Sequence, residues 1–235
     1  MRHITKGLEP DSLVACKGQW GGKLPSDWNS LPGCIKRDVR SFLVAEQHSV
    51  CCYCCCRIDA HNTEIAHLRP HSGPLHARMV FEYGNMLGSC AGGRNTRRET
   101  PQPSAKTRRA RSNLHCNARQ GDWFDDKLTI SPLDPDCERC FDYQRSGGIT
   151  ERTGHRRADA ARETIEHLGL NAPGVVERRG VAVEAAVESF LAADGGDRDV
   201  LADGYSKPDA SGELAEFCDA IGCVLKELAR AEAEG

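Results

Sequence analysis

Val50-Cys51-Cys52-Tyr53-Cys54-Cys55-Cys56, followed by Glu64-Ile65-Ala66-His67-Leu68-Arg69-Pro70-His71, is the stretch on which the fold turns. Cys51 and Cys54 form a C-x-x-C pair. Such a turn points two sulfurs inward at the ~3–4 Å separation required by tetrahedral zinc ~2.3 Å from each. Cys52 and Cys55 repeat that spacing and compete for the same role. Cys90 and Cys116 supply a second pair, with 25 residues looped out between them, and Cys137-x-x-Cys140 is a rival second pair. Cys52, Cys55 and Cys56 otherwise read as buried reduced thiols, as do Cys16, Cys34, Cys218 and Cys223, since free cysteine packs as a small apolar side chain.

The 235-residue chain is long enough for one sizeable core or for a small module with helical additions. Its 31 basic and 34 acidic side chains nearly cancel, but their distribution is uneven. Residues 92–119 carry eight basic side chains against Glu99 alone, whereas residues 190–235 carry 11 acidic and 4 basic. A basic loop and an acidic tail point to an anionic ligand at one place and a different surface at the other. No apolar run approaches the ~20 residues of a membrane span, and Met1-Arg2-His3-Ile4-Thr5-Lys6 is not a signal peptide. The expectation is a cytoplasmic protein away from membranes, where 13 cysteines argue for metal rather than disulfides.

Residues 1–33 read as irregular; Ile35, Val39, Phe42 and Leu43 then mark an amphipathic helix over 34–48. Residues 57–58 and 63–68 read as short strands around the Asp59–Asn62 turn, and 79–90 as a short helix or strand ending at Cys90. Lys127–Ser131 has a strand pattern, and Phe141–Tyr143 with Ile149 flank a Gly147-Gly148 hairpin turn. Helices follow over Ala158–Leu168, Val176–Leu191 and Glu213–Ala233, with 193–211 as a Gly/Asp/Pro-rich linker. The fold class is α+β, with a zinc-braced finger embedded among helices. The segments are a 1–48 arm and helix, a 49–131 core carrying the basic insertion 92–113, a 132–157 extension and a 158–235 helical region.

His67 closes an apolar strand just before Pro70, at a turn where its ring is expected to be exposed. The order His67, Asn85, Cys116-Asn117 resembles the HNH (ββα-metal, His-Me finger) endonucleases. Within them it resembles PtuB, the nuclease subunit of the Septu anti-phage system, and its relatives beside some retrons. The likeness runs through Met1–Lys6, Val50–Cys54, Ile65–Pro70, Tyr83–Cys90, His115–Asn117, Leu133–Phe141 and Gly148-Ile149, most of residues 1–171.

That resemblance implies a metal-dependent endonuclease that hydrolyses nucleic-acid phosphodiester bonds. His67 would be the general base, Asn85 would hold the His67 loop, and Asn117 would sit near a catalytic Mg²⁺ or Mn²⁺. Zinc on Cys51, Cys54, Cys90 and Cys116 would be structural. The family places Glu or Asp directly before the base, where this chain has Ala66. Glu64, two residues earlier on the same face, is the candidate substitute for the divalent ion. Arg69, Arg94, Arg97, Arg98, Lys106, Arg108, Arg109 and Arg111 are candidate phosphate contacts, giving salt-sensitive binding. DNA ranks ahead of RNA, although nothing in the loop separates them. The resemblance further implies an ATPase partner of the PtuA type within a larger hetero-oligomer. Ala66 keeps open an alternative, a catalytically weak or silent zinc-binding module for nucleic acid or a partner. His71 and His76 read as loop histidines.

Overall fold

The computed structural model describes residues 1–21, 27–70, 79–94 and 112–234. Helix α1 (Asp11–Gln19) occupies part of the arm expected to be irregular. Pro10 precedes it, Asp11 lies in its first turn and Lys17 in its last, matching the helix dipole. Leu13 and Cys16 are its only buried side chains, too few to give the sequence an apolar stripe. Helix α2 (Gly33–Glu46) matches the expected amphipathic helix and buries Val39 and Leu43 one turn apart.

After α2 the chain turns through His48 and Ser49, both at positive φ, into the cysteine knuckle. Val50 pairs with Arg57 in an isolated antiparallel bridge. Cys51 N–H donates to the Cys56 carbonyl at 2.8 Å, and Cys55 N–H to that of Cys51 at 3.0 Å. Residues 57–58 therefore close the knuckle itself and do not pair with the strand after it. Strand β1 (Glu64–His67) pairs instead with β2 (Met86–Ser89), antiparallel, in the register Glu64↔Ser89 to His67↔Met86. Gln47 ties α2 and the knuckle to β2: its carboxamide donates to the carbonyls of Val50 and Gly88 and accepts from Gly88 N–H.

A one-turn helix α3 (Asn117–Gln120) comes after the insertion and lies along β1. Asn117 reaches Glu64, while Gln120 Nε2 donates to the Leu68 carbonyl at 3.1 Å. Lys127–Ser131 is not a strand, because the Asp125 carboxylate accepts from the Lys127 and Leu128 amides and winds the segment into a turn. Strands β3 (Phe141–Tyr143) and β4 (Ile149–Glu151) form the expected hairpin. Gly147 in its turn has φ +89°, and a Cβ there would lie 2.1 Å from the Val176 carbonyl oxygen.

Helices α4 (Ala158–His167) and α5 (Pro173–Ala192) come next. Pro173 starts α5 where a missing N–H costs nothing. Helix α6 (Gly195–Gly204) lies in the stretch expected to be a linker. Helix α7 (Cys218–Glu234) begins later than expected. The cause is local: Leu214 N–H bonds to the His48 carbonyl, Phe217 N–H to that of Cys55, and Phe217 sits at φ 56°.

One apolar cluster runs from Met1 through the knuckle cysteines, Leu87, Ile130 and Phe141 to Phe190 and Leu225, so the finger and the C-terminal helices share a core. A second, of Leu13, Val39, Leu43, Phe81 and Met86, packs α1 and α2 on the other face of the β1–β2 hairpin. No helix among the described residues is long and apolar enough to cross a membrane.

Candidate functional site

The sulfurs of Cys51, Cys54, Cys90 and Cys116 all lie within 4.8 Å of one another. Cys51–Cys116 and Cys54–Cys90 are each separated by 3.8 Å. Zinc–sulfur bonds of ~2.3 Å place the corners of a regular tetrahedron roughly 3.8 Å apart, so the donors fit a four-thiolate zinc in kind and spacing. Each cysteine is placed by its own piece of backbone. Cys51 and Cys54 belong to the knuckle, Cys90 directly follows β2, and Cys116 is anchored by its N–H to the Leu168 carbonyl at 2.8 Å. Cys90 N–H also donates to the Cys51 sulfur at 3.3 Å, a contact that favours a thiolate there.

The cluster's electrostatics ask for a cation. Burial pushes the Cys51 thiol up, but hydrogen bonds with Cys116 and neighbouring thiols more than reverse this and hold it well below the usual range. The Cys116 hydrogen bond brings Cys90 down to about 6, whereas Cys116 itself is pushed up, by burial first and then by Cys51. Buried thiolates sharing protons in this way are relieved when a divalent ion replaces those protons.

Two further donors belong to the cluster. The Cys56 sulfur lies within 4.8 Å of those of Cys51, Cys54 and Cys90, and a His115 ring nitrogen lies equally near those of Cys54, Cys90 and Cys116. Spacing alone reads Cys56 as a bystander, because it is turned back onto Cys51 by the Val50–Arg57 bridge and the Cys51 N–H to Cys56 carbonyl bond. Cys55 instead packs with Cys218, Val50 and Leu214 in a separate small cluster. Cys137 and Cys140 are buried outside the cluster and join no group of metal-ligating side chains among the described residues.

Alternation along β1 sends Glu64 and Ala66 to one face and Ile65 and His67 to the other. Ala66 accordingly belongs to the finger core, and Ile65 packs on the α1–α2 cluster. His67 is not exposed as expected; its residue is 8 % accessible. The ring meets Trp28 edge-on, with centroids 4.9 Å apart. Nε2 lies 2.9 Å from the Val80 carbonyl oxygen. Since a carbonyl only accepts, Nε2 carries the proton in neutral imidazole and Nδ1 carries the lone pair. Burial by Trp28 could not be read from the strand alone.

Asn85 is also buried, at 4 % accessible. Its Oδ1 accepts from Arg69 N–H at 2.9 Å, and its Nδ2 donates to the carbonyls of Arg69 and Met79 at 3.0 and 3.2 Å. The side chain thus clips together the two chain segments that leave β1 and enter β2.

On the opposite face Asn117 Nδ2 donates to Glu64 Oε2 at 3.1 Å, and the Arg94 guanidinium grips both Glu64 oxygens at 2.7 and 2.8 Å. A carboxylate beside a carboxamide offers the oxygen donors that Mg²⁺ or Mn²⁺ prefers, with water and phosphate filling the remaining positions. Glu64 and His67 are three residues apart on the strand, about 10 Å by its rise, so Glu64 does not stand where a carboxylate at 66 would. Arg69 pairs with Asp126 at 2.8 Å and lies over the Phe124 ring. Arg97, Arg98, Lys106, Arg108, Arg109 and Arg111, with His71 and His76, fall outside the described residues.

Hairpin, one-turn helix and buried sulfur cluster together make a small unit that could hold a metal ion, set among the helices of an α+β protein. No family model matches the chain. Over 190 residues it is 26 % identical to the protein named "Retron Vc95 putative HNH endonuclease" from Vibrio cholerae serotype O1 biovar El Tor, across 80 % of this chain and 83 % of that one. Over 201 residues it is 24 % identical to "Retron Ec83 putative HNH endonuclease" from Escherichia coli, across 73 % and 74 %. These similarities support a relationship to the HNH nucleases.

Proposed function

We propose that the protein is a metal-dependent HNH endonuclease that hydrolyses phosphodiester bonds in nucleic acid, with DNA the preferred substrate. The observation that carries this reading is the hydrogen bond from His67 Nε2–H to the Val80 carbonyl. It fixes the tautomer in which Nδ1 is the basic nitrogen, as a general base requires. His67 Nδ1 accepts a proton from water, and the resulting hydroxide attacks phosphorus in line with the departing oxygen. Trp28 holds the ring plane and Asn85 the loop behind it. Glu64 and Asn117, on the other face of β1 from His67, are the residues that would hold a divalent ion, which would supply charge compensation to bound phosphate. Arg69, Arg94 and the arginines of the insertion contact backbone phosphates. Zinc on the sulfur cluster is structural, since Cys51 and Cys54 are fixed in the same core as β2 and α4.

The names of the two relatives support the nuclease reading, and each of those two proteins is named for a retron. The finer reading is an effector of an anti-phage system akin to Septu, restrained by an ATPase partner of the PtuA type within a hetero-oligomer. It rests on the motif resemblance, and the C-terminal helices are the candidate docking region. A second reading, a silent zinc module, is favoured by Ala66 and by the Arg94 guanidinium that already neutralises Glu64.

The test is cleavage of plasmid DNA, single-stranded DNA and RNA by the purified protein, with and without its partner ATPase, in Mg²⁺ or Mn²⁺. Wild type should cut and His67→Ala should not. Equal cutting by both, or none by wild type with any ion, rejects the nuclease reading.

A further inference from the structure

Five sulfurs surround a centre that needs four. Cys51, Cys54 and Cys90 are common to two four-sulfur sets, one completed by Cys116 and the other by Cys56, and within each set all sulfurs lie within 4.8 Å of one another. Both sets therefore meet the spacing of tetrahedral zinc. We propose that the fourth zinc position is shared between Cys116 and Cys56, so that the ion stays on Cys51, Cys54 and Cys90 while Cys116 can leave.

Backbone geometry separates the two candidates. Cys116 sits at φ 53°, ψ −140°, a conformation that non-glycine residues rarely adopt and that costs on the order of 1–3 kcal/mol. It is held there by its N–H bond to Leu168 and by whatever its sulfur binds. Cys56 carries no positive φ and is fixed beside Cys51 by the 2.8 Å bond from Cys51 N–H to its carbonyl. Releasing the Cys116 sulfur relieves a strained residue, and the incoming Cys56 sulfur needs no rearrangement of the main chain. The exchange is charge-neutral: the Cys56 thiol gives up its proton as it binds, and the departing Cys116 thiolate takes one up.

The consequence lies one residue further on. Asn117 follows Cys116 and opens α3, whose Asn117 and Gln120 side chains contact Glu64 on β1 and the Leu68 carbonyl just past its end. With Cys116 on the ion, the zinc anchors the start of α3 to the knuckle; with Cys56 on the ion, α3 is held by its hydrogen bonds alone. This inference rests on the zinc reading of the cluster and is independent of the nuclease reading.

The test is zinc per chain, by elemental analysis of the purified full-length protein, with Co²⁺ substitution to count thiolates from the sulfur-to-cobalt absorption. Wild type, Cys116→Ser and Cys56→Ser should each hold one ion with four-thiolate Co²⁺ spectra. Cys54→Ser and the double variant Cys56→Ser/Cys116→Ser should lose it or bind at least tenfold more weakly. A folded Cys116→Ser as zinc-free as Cys54→Ser overturns the proposal, as does a double variant that keeps full occupancy with an unchanged four-thiolate Co²⁺ spectrum. Wild type without zinc removes the underlying reading instead. Should Cys116→Ser fail to fold, wild type decides by native mass spectrometry after limited alkylation. Species modified at Cys116 should retain zinc, and their uniform loss of zinc refutes the exchange.

Discussion

Removing the Asn85 side chain should loosen the His67 loop by an amount the structure lets one work out. Three hydrogen bonds go at once in Asn85→Ala: one from the Arg69 amide and two to the Arg69 and Met79 carbonyls. At roughly 1 kcal/mol each the loss is about 3 kcal/mol, slightly reduced where water reaches the half-buried Arg69. Asn85→Asp sharpens the argument, because it preserves shape and the acceptor for Arg69 N–H. It sets a carboxylate oxygen against two carbonyl oxygens where an amide donated, so it should destabilise at least as much as alanine. Urea unfolding of the zinc-loaded protein measures both variants. A loss of about 3 kcal/mol corresponds to a fall in Tm of roughly 6–12 °C for a chain of this size. Cleavage should fall with them while zinc content stays at one per chain, since the sulfur cluster lies beyond the other end of the hairpin. A stable, active Asn85→Asp would refute the clip, because it would mean that the two donated bonds do not hold the segments together.

Other consequences can be measured separately. Loading zinc into metal-free protein at pH 7 should release about two protons, counted with an indicator dye in weak buffer. Cys90, at about 6, is then largely thiolate and Cys51 is shifted down by the same hydrogen bonds, whereas Cys54 and Cys116 are pushed above their usual value and must ionise. Release near four or near zero contradicts that assignment. Glu64→Gln should weaken Mn²⁺ binding by about tenfold or more and Arg94→Ala should tighten it, both read by electron paramagnetic resonance; unchanged affinities would place the divalent ion elsewhere. Arg179 is fully buried and donates to the Gly147 and Leu170 carbonyls. Arg179→Leu leaves both unpaired and should cost about 2–4 kcal/mol in urea unfolding, with an effect below about 0.5 kcal/mol counting against it.

How much of the molecule is legible in the sequence depends on the range of the interactions involved. Cys51 and Cys54 are legible because a C-x-x-C turn is local, and α2 because Val39 and Leu43 repeat at helical spacing. Cys56 is not, because its place in the cluster depends on the Val50–Arg57 bridge, which spacing does not encode. The partner of β1 is hidden for a similar reason: β2 arrives from beyond Pro70, while the nearer residues 57–58 are used in closing the knuckle. Composition misleads at 195–204, where glycine and aspartate suggest a linker but Ala202 packs into the core. At Lys127–Ser131 an alternating pattern yields to the Asp125 side chain. The tautomer and burial of His67 come from Val80 and Trp28, neither of them its neighbour in the chain.

The most direct measurement is chemical rescue of a variant that lacks the imidazole. His67→Gly removes the ring from between Trp28 and the Val80 carbonyl and should abolish divalent-dependent cleavage in protein that still holds its zinc. Added imidazole should restore activity in a dose-dependent way, more at high pH where it is neutral. Wild-type cleavage by His67→Gly without imidazole would contradict the account, as would a folded, zinc-loaded variant that imidazole cannot revive.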